Sequence, residues 1–404
     1  MGAARSVRLF IGLMAFFLPP FCYGQSPPTT KKAGKEISFL GGTEWLHTCG
    51  PHLVAISRKD EVCLWEWTDL QKPPLKGRGE DGLAAAFLLP NLIISTVDPL
   101  RNAPQEKKWM DDATKWIRQG GKGPPPPRPP SLGQPIKDPN KDTILIKTME
   151  TGEELRRWEI GPEWYCKEMR TSTNGTFVVI LTNQNSNVTH TPGESRVRVG
   201  ILGSDLDKGI RWAPEIREKK GSLYVSRSVP SEDGRFVATV GVNNGSWICL
   251  VEVGQMRVTW DFVDDMSVGF EDAAFSPDSQ TVYAAGGSGI LYAFDVTTGQ
   301  VKSKWLIGDG KQAEYGNRIS CVAASPDGRL VAAGTGPDGK VYIWDTGTGN
   351  RVDVLQTKQA TIMGLAFSPD STRLAVTGVA NQTIEVWDVK YEFRGSSGEF
   401  REFR

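Results

Sequence analysis

One stretch of this chain has residues spaced as in a metal-binding loop. Asp138-Pro-Asn-Lys-Asp142 places side-chain oxygens at alternate positions, as the first half of a calcium-binding loop does. Such a loop needs glycine at its sixth position for a sharp turn and glutamate at its twelfth as a bidentate ligand. This sequence has Thr143 and Met149 at those positions. The pattern therefore does not predict a calcium site.

Motifs for other kinds of chemistry are missing from the sequence. There is no His-Glu-x-x-His zinc pattern, no Gly-x-Ser-x-Gly nucleophile turn and no glycine-rich phosphate loop. The 3 histidines, His47, His52 and His190, are too widely spaced for a histidine-rich metal site. The acidic pairs Asp264-Asp265 and Glu271-Asp272 favour solvated loop carboxylates. We predict no cofactor and no metal, and interpret the chain as non-enzymatic.

The composition is that of a globular protein, with 39% hydrophobic and 23% charged residues and with 44 Gly and 26 Pro to form turns. Lys plus Arg number 47 and Asp plus Glu also number 47. An even balance of charge gives no support to binding of nucleic acid or of an anionic membrane.

Residues 1–24 have the organisation of a secretory signal. Arg5 and Arg8 form a positive start, an apolar run covers residues 9–18, and Cys22-Tyr-Gly24 resembles a small-residue cleavage site. The run is shorter than the about 20 apolar residues that span a bilayer. We expect residues 25–35 to be a linker and the mature protein to be secreted or periplasmic, without a stable membrane span. The alternative is an uncleaved N-terminal anchor.

Five of the 6 cysteines lie beyond residue 24, each in an apolar strand-like run: Cys49, Cys63, Cys166, Cys249 and Cys321. An odd number of cysteines in an exported chain does not form a disulfide framework. Burial as free thiols is therefore the favoured interpretation, and a bond between Cys49 and Cys63 is the alternative.

The elements that would position any functional residues recur along the chain. Trp344-Asp345 and Trp387-Asp388 end two strand-like runs 43 residues apart, and Asp295 ends a related run. A period near 40–45 with this terminal dipeptide is typical of a propeller blade. Large apolar residues also fall six positions after each turn glycine, which predicts packing between neighbouring blades: Trp158, Trp260, Trp305 and Leu355.

Turns of the form Ser-Pro-Asp begin at Ser276, Ser325 and Ser368, each between two short apolar strands. Seven third strands of blades can be placed in register, at about 61–67, 143–149, 196–202, 246–253, 289–296, 340–346 and 383–389. We predict an all-β fold, a seven-bladed β-propeller of four-stranded antiparallel blades over 36–392 with a tail at 393–404. The run 36–40 is expected to pair with 383–389 and so close the ring with the two terminal strands.

These turns and terminal dipeptides resemble the WD40 repeat family, most closely its exported bacterial members with Ser-Pro-Asp-Gly turns. The resemblance is specific over roughly 220–390 and weaker, but in register, over 36–215. It implies a propeller that serves as an interaction platform. Family repeats commonly open with Gly-His, and that histidine joins a buried hydrogen-bond chain. None of the histidines here has that context, so blade stability is expected to rest on apolar packing and ladder hydrogen bonds.

Two long connections interrupt the repeats. Residues 98–142 are inserted between the second and third strands of blade two, and residues 183–193 form a shorter connection in blade three. The first contains a possible amphipathic helix over 107–117 and a proline run at 124–130. The proline run is interpreted as a stiff spacer, with a docking ligand as the alternative. Family resemblance puts both connections on the face opposite the Ser-Pro-Asp turns.

We interpret this face as a partner-binding rim, because aromatic and arginine side chains commonly anchor protein interfaces. The candidate partner-binding residues are Trp45, Trp109, Trp116, Trp164, Tyr165, Tyr315 and Arg318. The predicted function is a non-enzymatic scaffold of the cell envelope or exterior that binds a protein or peptide, acting as a monomer. The alternatives are a propeller hydrolase or lyase with carboxylates gathered over the channel, and a carbohydrate-binding module.

Overall fold

A computed structural model describes most of the repeat region. The described residues are 35–38, 43–57, 61–78, 85–88, 91–97, 112, 143–161, 164–184, 195–218, 223–243, 245–264, 269–308, 318–336, 338–379 and 383–389. All of them belong to one compact unit, Lys32–Arg404. Within these residues the chain forms seven antiparallel sheets, so the predicted seven-bladed, all-β propeller is confirmed.

The first three blades include the two long connections. Blade one contains β2 (Thr43–Cys49), β3 (His52–Ser57), β4 (Glu61–Glu66) and β5 (Leu75–Arg78). Blade two contains β6 (Ala85–Leu88), β7 (Leu92–Val97), β8 (Thr143–Thr148) and β9 (Glu154–Glu159). Blade three contains β10 (Trp164–Thr171), β11 (Phe177–Gln184), β12 (Ser195–Gly203), a 3-10 helix (Leu206–Lys208), β13 (Arg211–Trp212) and β14 (Ile216–Glu218).

The remaining four blades are regular. Blade four contains β15 (Tyr224–Pro230), β16 (Phe236–Val242), β17 (Ser246–Glu252) and β18 (Arg257–Asp264). Blade five contains β19 (Phe270–Phe275), β20 (Thr281–Gly286), β21 (Ile290–Asp295) and β22 (Val301–Leu306). Blade six contains β23 (Arg318–Ala324), β24 (Leu330–Gly336), β25 (Lys340–Asp345) and β26 (Arg351–Gln356). Blade seven contains β27 (Ile362–Phe367), β28 (Arg373–Gly378), β29 (Thr383–Asp388) and β1 (Lys35–Ser38).

The third strand of every blade lies within a residue or two of its predicted position, because each is an apolar run that ends at a turn. Blade three departs from the four-stranded prediction. Its outer strand is split into β13 and β14, which both pair with β12. Pro214 lies between the two segments, and proline cannot donate a backbone hydrogen bond to a strand ladder.

The ring closes as predicted. Strand β1 pairs antiparallel with β29, with Ile37 opposite Ile384, so the N-terminal strand completes the last blade. The Ile37 side chain is buried with Ile384 and Val386 in one apolar cluster. The Lys358 ammonium group also donates a hydrogen bond to the Glu36 carboxylate. Closure thus combines a backbone ladder, apolar packing and one exposed ion pair.

Replacing Ile37 with serine should lower the free energy of unfolding by about 2 kcal/mol, because it removes a buried apolar side chain from the closing strand. Urea unfolding followed by tryptophan fluorescence measures this. The control is Val354→Ala on the outer strand of blade six, where the side chain is 38% exposed. Equal stability losses for the two variants would show that β1 does not hold the ring closed.

The Ser-Pro-Asp turns are held together by their own side chains. The Ser276 hydroxyl donates to the Asp278 carboxylate and accepts the backbone N–H of Thr281 at 2.9 Å. Neighbouring blades are linked at the same level, since the Ser371 hydroxyl accepts the Asp327 backbone N–H at 3.0 Å. Ser371 adopts a left-handed φ of 60°, where the equivalent residue of blade six is Gly328.

The residues that mark the repeat have structural roles. Asp295 and Asp345 each accept hydrogen bonds from a threonine three residues later, and so begin the turn to the outer strand. Trp344 and Trp387 are buried in the cores between blades. Asp388, which ends β29, is exposed.

The outer-strand tryptophans pack between blades, as predicted from their spacing. The Trp260 indole N–H of blade four donates to the backbone carbonyl of Val296 in blade five at 2.8 Å. The Trp305 ring of blade five lies 6.5 Å from that of Trp344 in blade six.

The five cysteines beyond residue 24 are buried and free, which excludes the Cys49–Cys63 bond. Among the described residues, no helix is long and apolar enough to cross a membrane.

Candidate functional site

The inner strands of the blades surround the central channel, and strand direction defines its two ends. Each inner strand begins at what we call the upper face and ends at a turn on the lower face, where the Ser-Pro-Asp turns lie. Because second strands run back upward, β7 and β11 both end at the upper face. The connections 98–142 and 185–194 therefore leave from the same face.

The inner strands of six blades share a change of register near their upper ends, within the first five residues of the strand. An extra residue at such a β-bulge re-aims the side chains next to it. The residues that follow the bulge thus occupy equivalent positions in one layer of the six inner strands: Trp45, Glu168, Arg227, Asp272, Cys321 and Gly364.

This layer contains charged side chains from three successive blades: Glu168, Arg227 and Asp272. Arg170, also in blade three, adds a fourth charged side chain. Glu168 Oε1 lies 2.8 Å from Arg170 Nε and 3.4 Å from Arg227 Nη1. Asp272 Oδ1 lies 3.2 Å from Arg170 Nη2 and 3.5 Å from Arg227 Nε. We call these four residues the ion network. It alternates two carboxylates with two guanidinium groups, so its net charge is zero.

The ion network is buried and also reaches blade six. The Glu168 and Asp272 side chains are each 3% exposed, and Asp272 Oδ2 accepts the backbone N–H of Val322 at 3.0 Å. Burial alone would lower the pKa of Arg170, but Asp272 and Glu168 outweigh it and raise that pKa. At Arg227, burial and the neighbouring Arg170 outweigh the two carboxylates and lower the pKa, so the carboxylates compensate the two guanidinium groups unequally.

Above the ion network, four residues of successive blades form what we call the upper mouth: Lys167, Tyr224, Glu271 and Arg318. The Lys167 ammonium nitrogen lies 3.8 Å from the centre of the Tyr224 ring and donates to the Val225 carbonyl. Tyr224 is 57% exposed. The Arg318 guanidinium group donates to the Glu271 carboxylate.

Burial shapes the charge of the upper mouth. It lowers the pKa of Lys167 to about 8, although Glu168 acts in the opposite direction. It raises the pKa of Glu271 above the ordinary value, although the hydrogen bond from Arg318 opposes this. The mouth contains two basic side chains, Lys167 and Arg318, and one acidic side chain, Glu271.

This arrangement favours binding over acid–base chemistry. The channel carboxylates Glu168, Asp272 and Glu271 are each paired with arginine. Within the described part of the chain, no group of three or more His, Cys, Asp or Glu side chains is placed to hold a metal ion.

The structure brings only some of the candidate partner-binding residues to the upper mouth. Arg318 lies there, and half-buried Tyr165 is nearby in blade three, where its hydroxyl accepts a hydrogen bond from the Asn183 amide at 3.4 Å. Trp45 belongs to β2. Trp109, Trp116 and Tyr315 lie outside the described residues, as do the possible helix and the proline run.

Two interpretations from the sequence are wrong. Trp164 is not an exposed anchor: it is 5% exposed in the apolar core of blades two and three, with Arg198 over its ring at 4.7 Å. Asp272 is not a solvated loop carboxylate, since it lies within β19 and is 2% exposed. Charged residues inside apolar first strands, at one position in three successive repeats, were the signal that could have revealed the ion network.

Comparison with known proteins supports the repeat assignment. Residues 311–345 and 349–388 match the WD40 family, described as WD domain, G-beta repeat. These two segments are similar to WD40 repeats. They hold strands β23–β25 and β26–β29, which are the most regular part of the propeller.

Two similar proteins extend this result. The chain is 25% identical over 181 residues to the Periodic tryptophan protein 2 homolog of Dictyostelium discoideum, a match that covers 44% of this chain and 19% of that protein. The chain thus spans about a fifth of that relative's length. The Cps50 (Swd1) β-propeller domain of Myceliophteria thermophila superimposes with a TM-score of 0.57 at 12% identity, over 89% of this chain and 99% of that domain. This second likeness concerns the fold alone.

Proposed function

We propose that this protein is a non-enzymatic scaffold that binds an acidic segment of a protein partner at the upper mouth of its channel. The WD40 repeats and the propeller architecture support a role in protein interaction. The observation that carries the proposal is the exposed Tyr224 ring with the Lys167 ammonium group against its face, at the end of a channel.

Tyrosine and arginine are enriched among the residues that dominate binding energy in interfaces, because they combine apolar area with directed hydrogen bonds. The upper mouth offers both, with Tyr224 in blade four and Arg318 in blade six. Both side chains are more than half exposed. A partner can therefore reach them without moving the blades.

The charge of the upper mouth favours an acidic partner. The ion network beneath it is neutral, so the excess positive charge comes from Lys167 and Arg318 against Glu271. A carboxylate on the partner complements this excess and would be guided toward the channel by it. The aromatic ring supplies the apolar contact beside the charge.

The long connections extend the proposed site. Because 98–142 and 185–194 start from the upper face, we include Trp109 and Trp116 of the first connection, together with Trp45, Tyr165 and Tyr315, in the proposed partner-binding surface. Export to the cell envelope or exterior is part of the proposal, supported by the charge and apolar pattern of residues 1–24.

A displayed library of random peptides tests the proposal. Peptides selected by the wild-type protein should be enriched in Asp and Glu, and salt should weaken their binding because exposed charges are screened. Tyr224→Ala and Lys167→Met should each reduce affinity about tenfold or more, as expected for central interface residues. Affinities can be measured by fluorescence anisotropy.

The matched control is Lys304→Met. Lys304 also lies over a tyrosine, 4.6 Å from the Tyr292 ring, but on the outer strand of blade five. It should leave peptide affinity unchanged. Selected peptides without an acidic excess, or affinities that Tyr224→Ala leaves intact, would contradict the proposed site.

A further inference from the structure

A cavity of about 360 Å³ occupies the channel below the ion network. Its lining begins at Arg170 and Asp272 and continues to the turn residues Asn174, Glu232 and Pro277 at the lower face. Neither Glu168, Arg227 nor any residue of the upper mouth lines it. The ion network thus separates this cavity from the proposed partner site.

The cavity has polar residues at both ends and mostly apolar residues along its walls. Residues of blades one, three, four, five, six and seven form the walls, and most are apolar: they include Met169, Val229, Phe275, Ala323, Met363 and Leu365. Polar residues also line the cavity, among them Thr173, Asn174 and Glu232 toward the lower face. Its volume lies within the range of small-molecule sites, which occupy about 300–1,000 Å³.

Two buried polar atoms at the upper end have no hydrogen-bond partner in the described part of the chain. They are His47 Nε2 and Asp272 Oδ1, and both residues line the cavity. Asp272 Oδ1 is close to Arg170, but not in hydrogen-bond geometry. Buried polar groups are nearly always satisfied, so this pair points to an occupant of the cavity.

The two atoms define what the occupant must offer. A carboxylate oxygen can only accept, so Asp272 Oδ1 requires a donor. Burial, with Arg170 in support, lowers the pKa of His47 to about 4, so the imidazole is neutral at physiological pH and Nε2 can accept or donate. A hydroxyl group can both donate and accept a hydrogen bond, so it offers what each of the two atoms requires.

The surrounding charges favour an uncharged occupant. A cation would be repelled by Arg170 and Arg227, and an anion by Glu168 and Asp272, since the ion network is neutral as it stands. Ordered water can satisfy the two ends, but it gains nothing from the apolar walls between them, because a buried water needs about 2–4 polar partners.

We propose that this cavity is a binding site for a small uncharged molecule with an apolar body and a hydroxyl group, the hydroxyl lying between His47 Nε2 and Asp272 Oδ1. The apolar body lies along the walls formed by Met169, Val229 and Leu365. The molecule enters from the lower face, so this site is independent of partner binding at the upper mouth.

Benzyl alcohol and toluene are suitable probes because they differ only in the hydroxyl group. The chain has 3 histidines, so imidazole nitrogen signals in ¹H–¹⁵N NMR spectra can be assigned by loss of one signal in His47→Gln. Benzyl alcohol should shift the His47 signal saturably and bind about tenfold more tightly than toluene, the usual effect of one buried hydrogen bond.

Ala323→Leu should abolish the shift, because the added atoms fill the cavity, and Ala274→Val serves as a second filling variant if the first does not fold. The matched control is Ala360→Leu, at an exposed alanine outside the cavity. No saturable shift at His47 would show that the channel holds only water. Equal binding of toluene, or a shift that persists in a folded filling variant, would equally overturn the proposal.

Discussion

Replacing Asp272 with asparagine should lower the free energy of unfolding by about 3–5 kcal/mol, the range seen when one partner of a buried ion pair is removed. The substitution leaves Arg170 and Arg227 sharing only Glu168 in the middle of the channel. The backbone N–H of Val322 also loses a charged acceptor for its hydrogen bond. Urea unfolding monitored by tryptophan fluorescence measures the effect.

The control is Asp207→Asn. Asp207 pairs with Arg156 at 2.7 Å, closer than any contact of Asp272 with arginine, but both side chains are at least half exposed. Because exposed ion pairs contribute little, Asp207→Asn should have a much smaller effect on stability. Similar losses for the two variants would show that burial does not determine the importance of the ion network.

A double variant separates loss of charge from loss of contact. Asp272→Leu with Arg227→Met leaves Glu168 paired with Arg170 and removes one charge of each sign. The double variant should lose less free energy of unfolding than the two single variants lose in sum. Each single variant leaves one buried charge uncompensated, whereas the double variant leaves none. Strict additivity would contradict the network interpretation.

The second large effect is expected at Gly299, where Gly299→Ala should destabilise the protein by about 2–4 kcal/mol through backbone strain and a clash between blades. Gly299 has a φ of +73°, and an added Cβ would lie 2.8 Å from the Trp260 ring of the preceding blade. That ring is also held by its hydrogen bond to Val296 and has little freedom to move. Differential scanning calorimetry measures the effect.

Gly152→Ala is the matched control, because it separates the two contributions. Gly152 is the turn glycine of blade two, with a φ of +69°, and an added Cβ there would meet nothing within 4 Å. It should therefore cost only the strain, about 1–2 kcal/mol. If Gly299→Ala destabilised the protein no more than Gly152→Ala, the packing of Trp260 would not require glycine at position 299.

The packing of outer-strand tryptophans on turn glycines was predicted from the sequence only in part. Trp260 and Trp305 each fall six positions after a turn glycine in their own blade, yet in the structure each lies against the turn glycine of the following blade. Trp305, for example, would lie 3.4 Å from a Cβ at Gly349. The spacing predicted that these residues pack between blades, but it did not predict that they pack against the turn glycine of the following blade.

The ion network shows why the candidate site was harder to predict. Glu168, Arg227 and Asp272 belong to three different repeats and are separated by 45 or more residues. Within its own strand each looks like a polar residue near a strand end, and Glu271-Asp272 looks like a loop. Only curvature of the ring brings the three strands side by side, and only the shared bulge turns the side chains into the channel.

The sequence by itself determined the number of blades, the third strands, the turns, the free thiols and the closing strand, because each depends on residues within one repeat or on a periodic pattern. The tertiary structure decided the rest: that Trp164 is buried, that the channel carboxylates are neutralised by arginines, and that Lys167 lies against Tyr224. These features depend on contacts between blades, whose geometry comes from ring closure and is not encoded in the spacing of any single repeat.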